Sequence, residues 1–114
     1  MGVRNLVLGP GGLAEGGTHI AVEDGALVGF ATWAVADGIF ELEDLFVDPG
    51  WMRHGIATAL VSRIVDVLRA RGAKRLEVTA NPYALGFYRA VGFLDCGVAG
   101  TDFGAAPRMV LELR

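Results

Sequence analysis

The sequence predicts an α/β (α+β) domain. Its single mixed sheet is mostly antiparallel with a central parallel pair. One long helix follows the third predicted strand, and a second, short helix lies near the C-terminus. Three observations carry this. Apolar runs of period two are separated by Asp24-Gly25 and Asp37-Gly38. A single stretch from Ile56 to Leu68 switches to spacings of three and four. Strand, helix and strand then follow one another across residues 39–79, which requires a crossover and a parallel pair.

The first 17 residues hold a short apolar piece, Leu6-Val7-Leu8, then Gly9-Pro10-Gly11-Gly12 and Gly16-Gly17. Two glycine-rich steps so close together predict loop rather than helix. No Gly-Lys-Ser/Thr follows them, so they are not read as a phosphate loop. From Thr18, His19-Ile20-Ala21-Val22 and Ala26 to Trp33 flank Glu23-Asp24-Gly25, and Asp37-Gly38 leads into Ile39 to Val47. Asp-Gly between apolar runs marks a tight hairpin, because glycine accepts the positive φ of the favoured turns, so three antiparallel strands are expected. Asp48-Pro49-Gly50 ends the third strand, Asp48 being a common turn residue before proline. Ile56, Leu60, Val61, Ile64, Val65 and Leu68 then form the apolar stripe of a helix, with Arg53, Thr58, Ser62, Arg63, Asp66 and Arg69 opposite and Gly72 as its stop. Arg75 to Thr79 reads as a strand. Asn81-Pro82 opens a helix over about Tyr83 to Ala90, ended at Gly92, and two short strands follow near Phe93 to Val98 and Arg108 to Leu113.

Length and composition narrow the function classes. A chain of 114 residues is read as one domain, residues 1–114, with 1–17 a glycine-rich N-terminal segment. Hydrophobic residues make up 53%, and the mean hydropathy of +0.44 is high for a small domain. The longest uncharged run, Gly25 to Ala36, is too short to cross a bilayer, so no membrane association is expected. The start lacks a secretory apolar region, and Leu6 stands where a myristoylation signal needs Ser or Thr, so a cytoplasmic location is expected. Net charge −3 argues against a nucleic-acid surface. Arg63, Arg69, Arg71, Lys74 and Arg75 fit a solvated helix end. Cys96 stands alone and reads as a plain small hydrophobic side chain, and no metal-ligand spacing joins it to His19 or His54.

The chemistry-bearing stretch opens the long helix: Arg53-His54-Gly55-Ile56-Ala57-Thr58. A helix N-terminus presents unpaired N–H groups and a positive dipole end, which receive phosphate oxygens. Small residues at 55 and 57 let a ligand approach the backbone, while Arg53 and Thr58 add a charge and a hydroxyl. The competing reading is that Gly55 and Ala57 simply permit close helix–sheet packing.

Met52-Arg53-His54-Gly55-Ile56-Ala57, after a strand and a turn, resembles the Gln/Arg-x-x-Gly-x-Gly/Ala pyrophosphate-binding signature of the GNAT superfamily of acetyl-CoA-dependent N-acetyltransferases. Met52 stands where Gln or Arg is usual, with Arg53 beside it. A second segment, Asn81-Pro82-Tyr83-Ala84-Leu85-Gly86-Phe87-Tyr88-Arg89-Ala90-Val91-Gly92-Phe93, is similar to the family's later Asn…Tyr…Gly-Phe stretch. The resemblance is close over residues 39–93 and stops before Thr18. It implies a GNAT-like fold in a short form lacking most of the usual N-terminal strand and helix pair.

The resemblance also implies roles. Acetyl-CoA is the expected donor, with no metal. Its pyrophosphate would meet Arg53, His54, Gly55, Ile56, Ala57 and Thr58, its pantetheine amides the backbone of Phe46 and Val47, and its arm Asn81, which equally reads as a helix cap. The oxyanion donor falls at the Leu45 N–H, and Tyr88 is the general acid, against a plain core aromatic. An acceptor ammonium with pKa ~10.4 must lose a proton before it attacks. Glu41, eleven residues before the first signature position, is the favoured base acting through water, and Glu43, expected on the same face, is the second candidate. Asp37, Glu41, Glu43, Asp44 and Asp48 lie in a stretch without a basic residue and would attract a cationic amine.

The alternative readings are a non-catalytic GNAT-like module that binds acyl-CoA or a partner protein, and a dinucleotide-binding βαβ protein, which the absence of Gly-x-Gly-x-x-Gly disfavours. The apolar surplus suggests a homodimer through surface around Phe30, Trp33, Phe40 or Trp51.

Overall fold

Both Asp-Gly pairs form the turns that their chemistry prescribes. In the computed structural model, which describes residues 4–8 and 16–113, Asp24 and Gly25 have φ of 50° and 78°, and Asp37 and Gly38 have 53° and 77°. Left-handed φ at both central residues is the type I′ pattern, whose twist suits paired strands. These turns join β2 (Gly16–Glu23) to β3 (Ala26–Ala36) and β3 to β4 (Ile39–Val47). The three strands form the expected antiparallel meander.

The N-terminal expectation needs correction. Residues 4–8, predicted as loop, form strand β1 (Arg4–Leu8), paired antiparallel with β2 from Arg4↔Val22 to Leu8↔Thr18. Leu6-Val7-Leu8 is too short to show period two, but the free edge of β2 supplies a ladder for it. The Gly9–Gly12 step lies outside the described residues.

After β4 come a 3₁₀ turn (Pro49–Trp51) and α1 (Ile56–Ala70), then β5 (Arg75–Thr79), a second 3₁₀ turn (Pro82–Ala84), α2 (Leu85–Ala90), β6 (Leu94–Thr101) and β7 (Gly104–Glu112). The sheet runs β1-β2-β3-β4-β5-β7-β6, and β4–β5 is its parallel pair. All six positions of the predicted stripe on α1 are buried. They pack on β2, β3 and β4 together with buried Leu42, Leu76, Phe93 and Met109. Each such side chain contributes about 1.5–3 kcal/mol of burial.

Helix α1 lies close against β3 at Gly29. A Cβ there would lie 2.9 Å from the Phe46 carbonyl oxygen and 3.1 Å from Ile56 Cγ2. A Cβ at Gly55 would meet no atom within 4 Å. The packing role considered for Gly55 therefore belongs to Gly29.

Two further expectations change. Trp33 is only 2% exposed, with Phe40 at 6.1 Å and the Arg71 guanidinium 5.0 Å from its ring centroid, so it is not free surface. The sheet covers it from one side and the end of α1 from the other. Cys96 is exposed on β6 rather than buried, because β6 forms a sheet edge and nearly all its residues face solvent.

Candidate active site

Strand β4 is paired with β3 along its whole length but with β5 only at Phe40↔Leu76, Glu41↔Glu77 and Leu42↔Val78. Beyond Leu42 its second edge has no strand partner among the described residues. The cause is visible at the end of β5, where the Ala80 N–H donates to the Pro107 carbonyl at 2.8 Å. The chain there stays with β7 and parts from β4. The parting leaves backbone N–H and C=O groups of residues 43–47 facing the gap, available to an extended ligand.

A cavity of about 420 Å³ opens beside this edge. Leu45 and Val47 form one wall, Arg53, Gly55, Ile56, Ala57 and Thr58 form its end at the start of α1, and Tyr83, Ala84 and Phe87 close the other side. Seven of the residues assigned to the cofactor from sequence meet here. Phe46, His54, Asn81 and Tyr88 do not line it. The Phe46 ring points to the other face, stacked on Phe30 at 5.6 Å, although its backbone belongs to the open edge. His54 packs on the Trp51 ring at 5.2 Å. The Asn81 side chain accepts a hydrogen bond from the Tyr83 N–H at 2.9 Å, which is the capping role.

The helix begins at Ile56, three residues later than the first basic residue suggested. Gly55 is its N-cap with φ 76°, and Arg53 adopts φ 66°. Left-handed backbone is ordinary for glycine and costs an arginine about 1–2 kcal/mol. Among the described residues no side chain caps α1, and its first turn contains no acid. Its leading N–H groups and positive dipole end therefore face the cavity uncompensated, beside Arg53, in an arrangement that suits a phosphate. Met52, 58% exposed, lines the cavity where the family usually has Gln or Arg.

Tyr88 is 6% exposed, its ring edge-on to Phe87 at 5.3 Å and Phe93 at 5.2 Å. Burial raises its pKa, so the phenol is protonated at neutral pH and can only donate a proton there.

The acidic stretch on β4 differs from the simple alternation. Trp33 pairs with Leu42 and Thr32 with Asp44, so the ladder skips Glu43. This bulge interrupts the face that Glu41 and Glu43 were expected to share and brings Leu45 and Val47 to the helix side with Leu42. Glu41, on the opposite face, accepts a hydrogen bond from Arg108 Nη1 at 2.6 Å. Asp44 accepts from the Thr32 hydroxyl at 2.7 Å, and Asp48 from the Gly50 N–H at 2.8 Å, a turn residue as expected. Glu43 is exposed. Sequence reasoning missed Arg108, whose role depends on β7 returning beside β5. No local pattern around it could have disclosed that.

Among the described residues no helix is long and apolar enough to cross a membrane, and no three His, Cys, Asp or Glu side chains gather as metal ligands do.

Comparison with known proteins agrees with the geometry. Residues 10–93 match the acetyltransferase (GNAT) family, a match that starts earlier than the resemblance at Thr18. Streptothricin acetyltransferase of Streptomyces lavendulae is 38% identical over 91 residues, covering 75% of this chain and 48% of that protein. The chain spans about half or less of the length of the first curated relatives it matches. Among solved structures, a nourseothricin acetyltransferase superposes with a TM-score of 0.81 at 27% identity, over 89% of this chain and 67% of that one. A GNAT family acetyltransferase from Elizabethkingia anophelis with acetyl-CoA bound superposes at 0.79 and 15% identity, over 87% and 77%, and shares the fold. With its parted parallel strands ending at an uncapped helix, this chain belongs to the GNAT acetyltransferase family.

Proposed function

We propose that the protein is an acetyl-CoA-dependent N-acetyltransferase that moves an acetyl group to a primary amine by direct attack. The observation that carries this reading is the unpartnered edge of β4 beyond Leu42, which runs beside the cavity to the N-terminus of α1. The Phe46 and Val47 backbone would pair with the pantetheine amides, while Arg53, His54 and the first N–H groups of α1, from Gly55 to Thr58, would hold the pyrophosphate. Asn81 would reach the arm only if its cap at Tyr83 opens.

Glu41, or Glu43 in the bulge, accepts the amine's proton through a water. The freed lone pair attacks the thioester carbonyl, and the Leu45 N–H donates to the oxygen as negative charge develops there. As the intermediate collapses and its C–S bond breaks, Tyr88 protonates the departing thiolate, whose conjugate acid has a pKa of roughly 8.5 by analogy with cysteine. The second proton lost from the nitrogen restores the phenol. The residues divide between faces: the cavity lies on the helix side and Glu41 on the other, so donor and acceptor would meet through the gap between β4 and β5.

Calorimetric titration with acetyl-CoA tests the reading, and a flat titration of folded protein at millimolar ligand would sink it. Thiol release is then followed with nourseothricin, serotonin, a polyamine and a peptide bearing an N-terminal alanine, a panel chosen from similar proteins named for such acceptors and from the acidic stretch. One observation favours a second reading, a module that binds acyl-CoA without catalysis: the Glu41 carboxylate is already held by Arg108. Binding without turnover across the panel would select it. A cytoplasmic location belongs to the same proposal, and so does a homodimer through the open sheet face, where Phe46 is 49% exposed. Sedimentation that shows no concentration dependence would remove the dimer.

A further inference from the structure

Arg108 stands on β7 opposite Thr79 of β5, and its guanidinium reaches past β5 to β4. Nη1 donates to Glu41 Oε2 at 2.6 Å and to Thr79 Oγ1 at 2.7 Å, and Nη2 donates to Glu77 Oε1 at 2.6 Å. Glu41 and Glu77 are register partners, one rung before β4 and β5 part at Leu42↔Val78. Carboxylates side by side on neighbouring strands repel. One cation divided between them offsets that repulsion and leaves the trio with a net charge of −1. The usual strong pattern gives both arms of a guanidinium to one carboxylate. Here each carboxylate receives one arm, and Glu41 is the more open of the two, at 37% against 21%.

Resting on the reading of Glu41 as base, we propose that Arg108 is a positioning residue for it. The divided guanidinium holds the Glu41 and Glu77 side chains side by side at the mouth of the gap, leaving Glu41 Oε1 to receive the amine's proton. The groups around Glu41 are few. Glu77 faces it from β5, with Arg75 two residues earlier on the same face, and Arg108 from β7, while β3 contains no titratable residue. On its own strand Glu43 lies in the bulge, and Asp44 is held by Thr32. Burial alone would lower the pKa of Arg108, and its bonds to Glu41 and Glu77 outweigh that, so the cation persists throughout the working pH range.

A purely structural ion cluster would change melting temperature and leave proton affinities of the site unconnected to rate. The test therefore follows the ¹³C-carboxyl resonances of Glu41 and Glu77 against pH in the full chain. It is paired with the pH dependence of kcat/KM, using nourseothricin as probe acceptor. In Arg108→Gln the Glu41 midpoint and the acid limb should rise together by about one pH unit, because two neighbouring carboxylates lose their shared cation. The rate near the acid limb should fall about tenfold, and acetyl-CoA affinity should change less than about twofold. In Glu77→Gln both should move down, and the double variant should return towards the starting profile. Arg108→Lys, which keeps the cation, should leave the midpoint and the acid limb near their starting values.

Unmoved midpoints in Arg108→Gln and Glu77→Gln overturn the proposal while the function stands. Full activity in Glu41→Gln overturns the base assignment and this proposal with it. Should Arg108→Gln fail to fold, Glu77→Gln and Arg108→Lys decide, since the midpoint moves down in the first and stays near its original value in the second.

Discussion

Residues 39–42 and 43–47 of β4 share one kind of sequence, apolar positions interspersed with acids, yet occupy different surroundings. The first half is paired on both edges from Phe40 to Leu42, and its Leu42 is buried. The second half keeps β3 alone, contains the Glu43 bulge and presents its other edge to a cavity. The difference arises outside β4, in the turn of the chain at Ala80 towards β7. One half thus holds the sheet together, and the other leaves its backbone open to the gap. An open edge inside this sheet is a strand that its neighbour has left.

Leu42→Ala and Leu45→Ala should separate the two halves most sharply. Leu42→Ala is expected to cost about 2–5 kcal/mol of stability, read by chemical denaturation. Leu45→Ala, half-buried beside the cavity, should cost less stability and weaken acetyl-CoA measurably. Equal stability losses with unchanged affinity in Leu45→Ala would erase the distinction.

The two glycines on either side of Ile56 offer the next contrast. Gly29→Ala puts a methyl against the Phe46 carbonyl and should lose about 1–3 kcal/mol, since backbone cannot easily yield. Gly55→Ala meets open space but must adopt φ 76°, costing about 1–2 kcal/mol. Acetyl-CoA affinity should fall in Gly55→Ala as the loop relaxes away from the left-handed conformation. Thermal melts and calorimetry on both variants check this.

Arg53→Gly should weaken acetyl-CoA about tenfold, near 1.4 kcal/mol, through the lost charge. Stability should hold or rise slightly, because glycine relieves the left-handed arginine. An affinity unchanged at low salt would detach Arg53 from the phosphate role.

The smallest effect lies on β2, two strands across from Leu45. His19 is fully buried, and its ring nitrogens have no partner among the described residues. Burial, and secondarily the charge of Arg63, lower its pKa below 6.5. The unfolded chain therefore takes up a proton at a pH where the folded chain does not. Stability from the neutral ring is complete above about 6.5 and declines as pH falls towards the lower folded value. Denaturation midpoints measured downward from neutral pH should show this decline, and His19→Phe should flatten it.

The parts legible in the sequence are those set by local chemistry. Asp24-Gly25 and Asp37-Gly38 dictate their turns because positive φ is cheap there, and the α1 stripe from Ile56 to Leu68 buries as its period requires. The signature from Arg53 to Thr58 likewise arrives at a helix start, since Gly55 ends one conformation and permits the next. What escaped the sequence depended on a second strand. Leu6-Val7-Leu8 became β1 only because β2 offered an edge, and Trp33 is covered only once the sheet and the end of α1 come together. The Glu43 bulge and the bridge from Arg108 to Glu41 and Glu77 join residues up to 67 positions apart. Backbone preference and side-chain period act over a few residues, so the chain alone determined its turns, its helix stripe and the glycine-marked start of its long helix. Which edges stay open and which charges meet is decided by strand order and register, and only the assembled sheet specifies those.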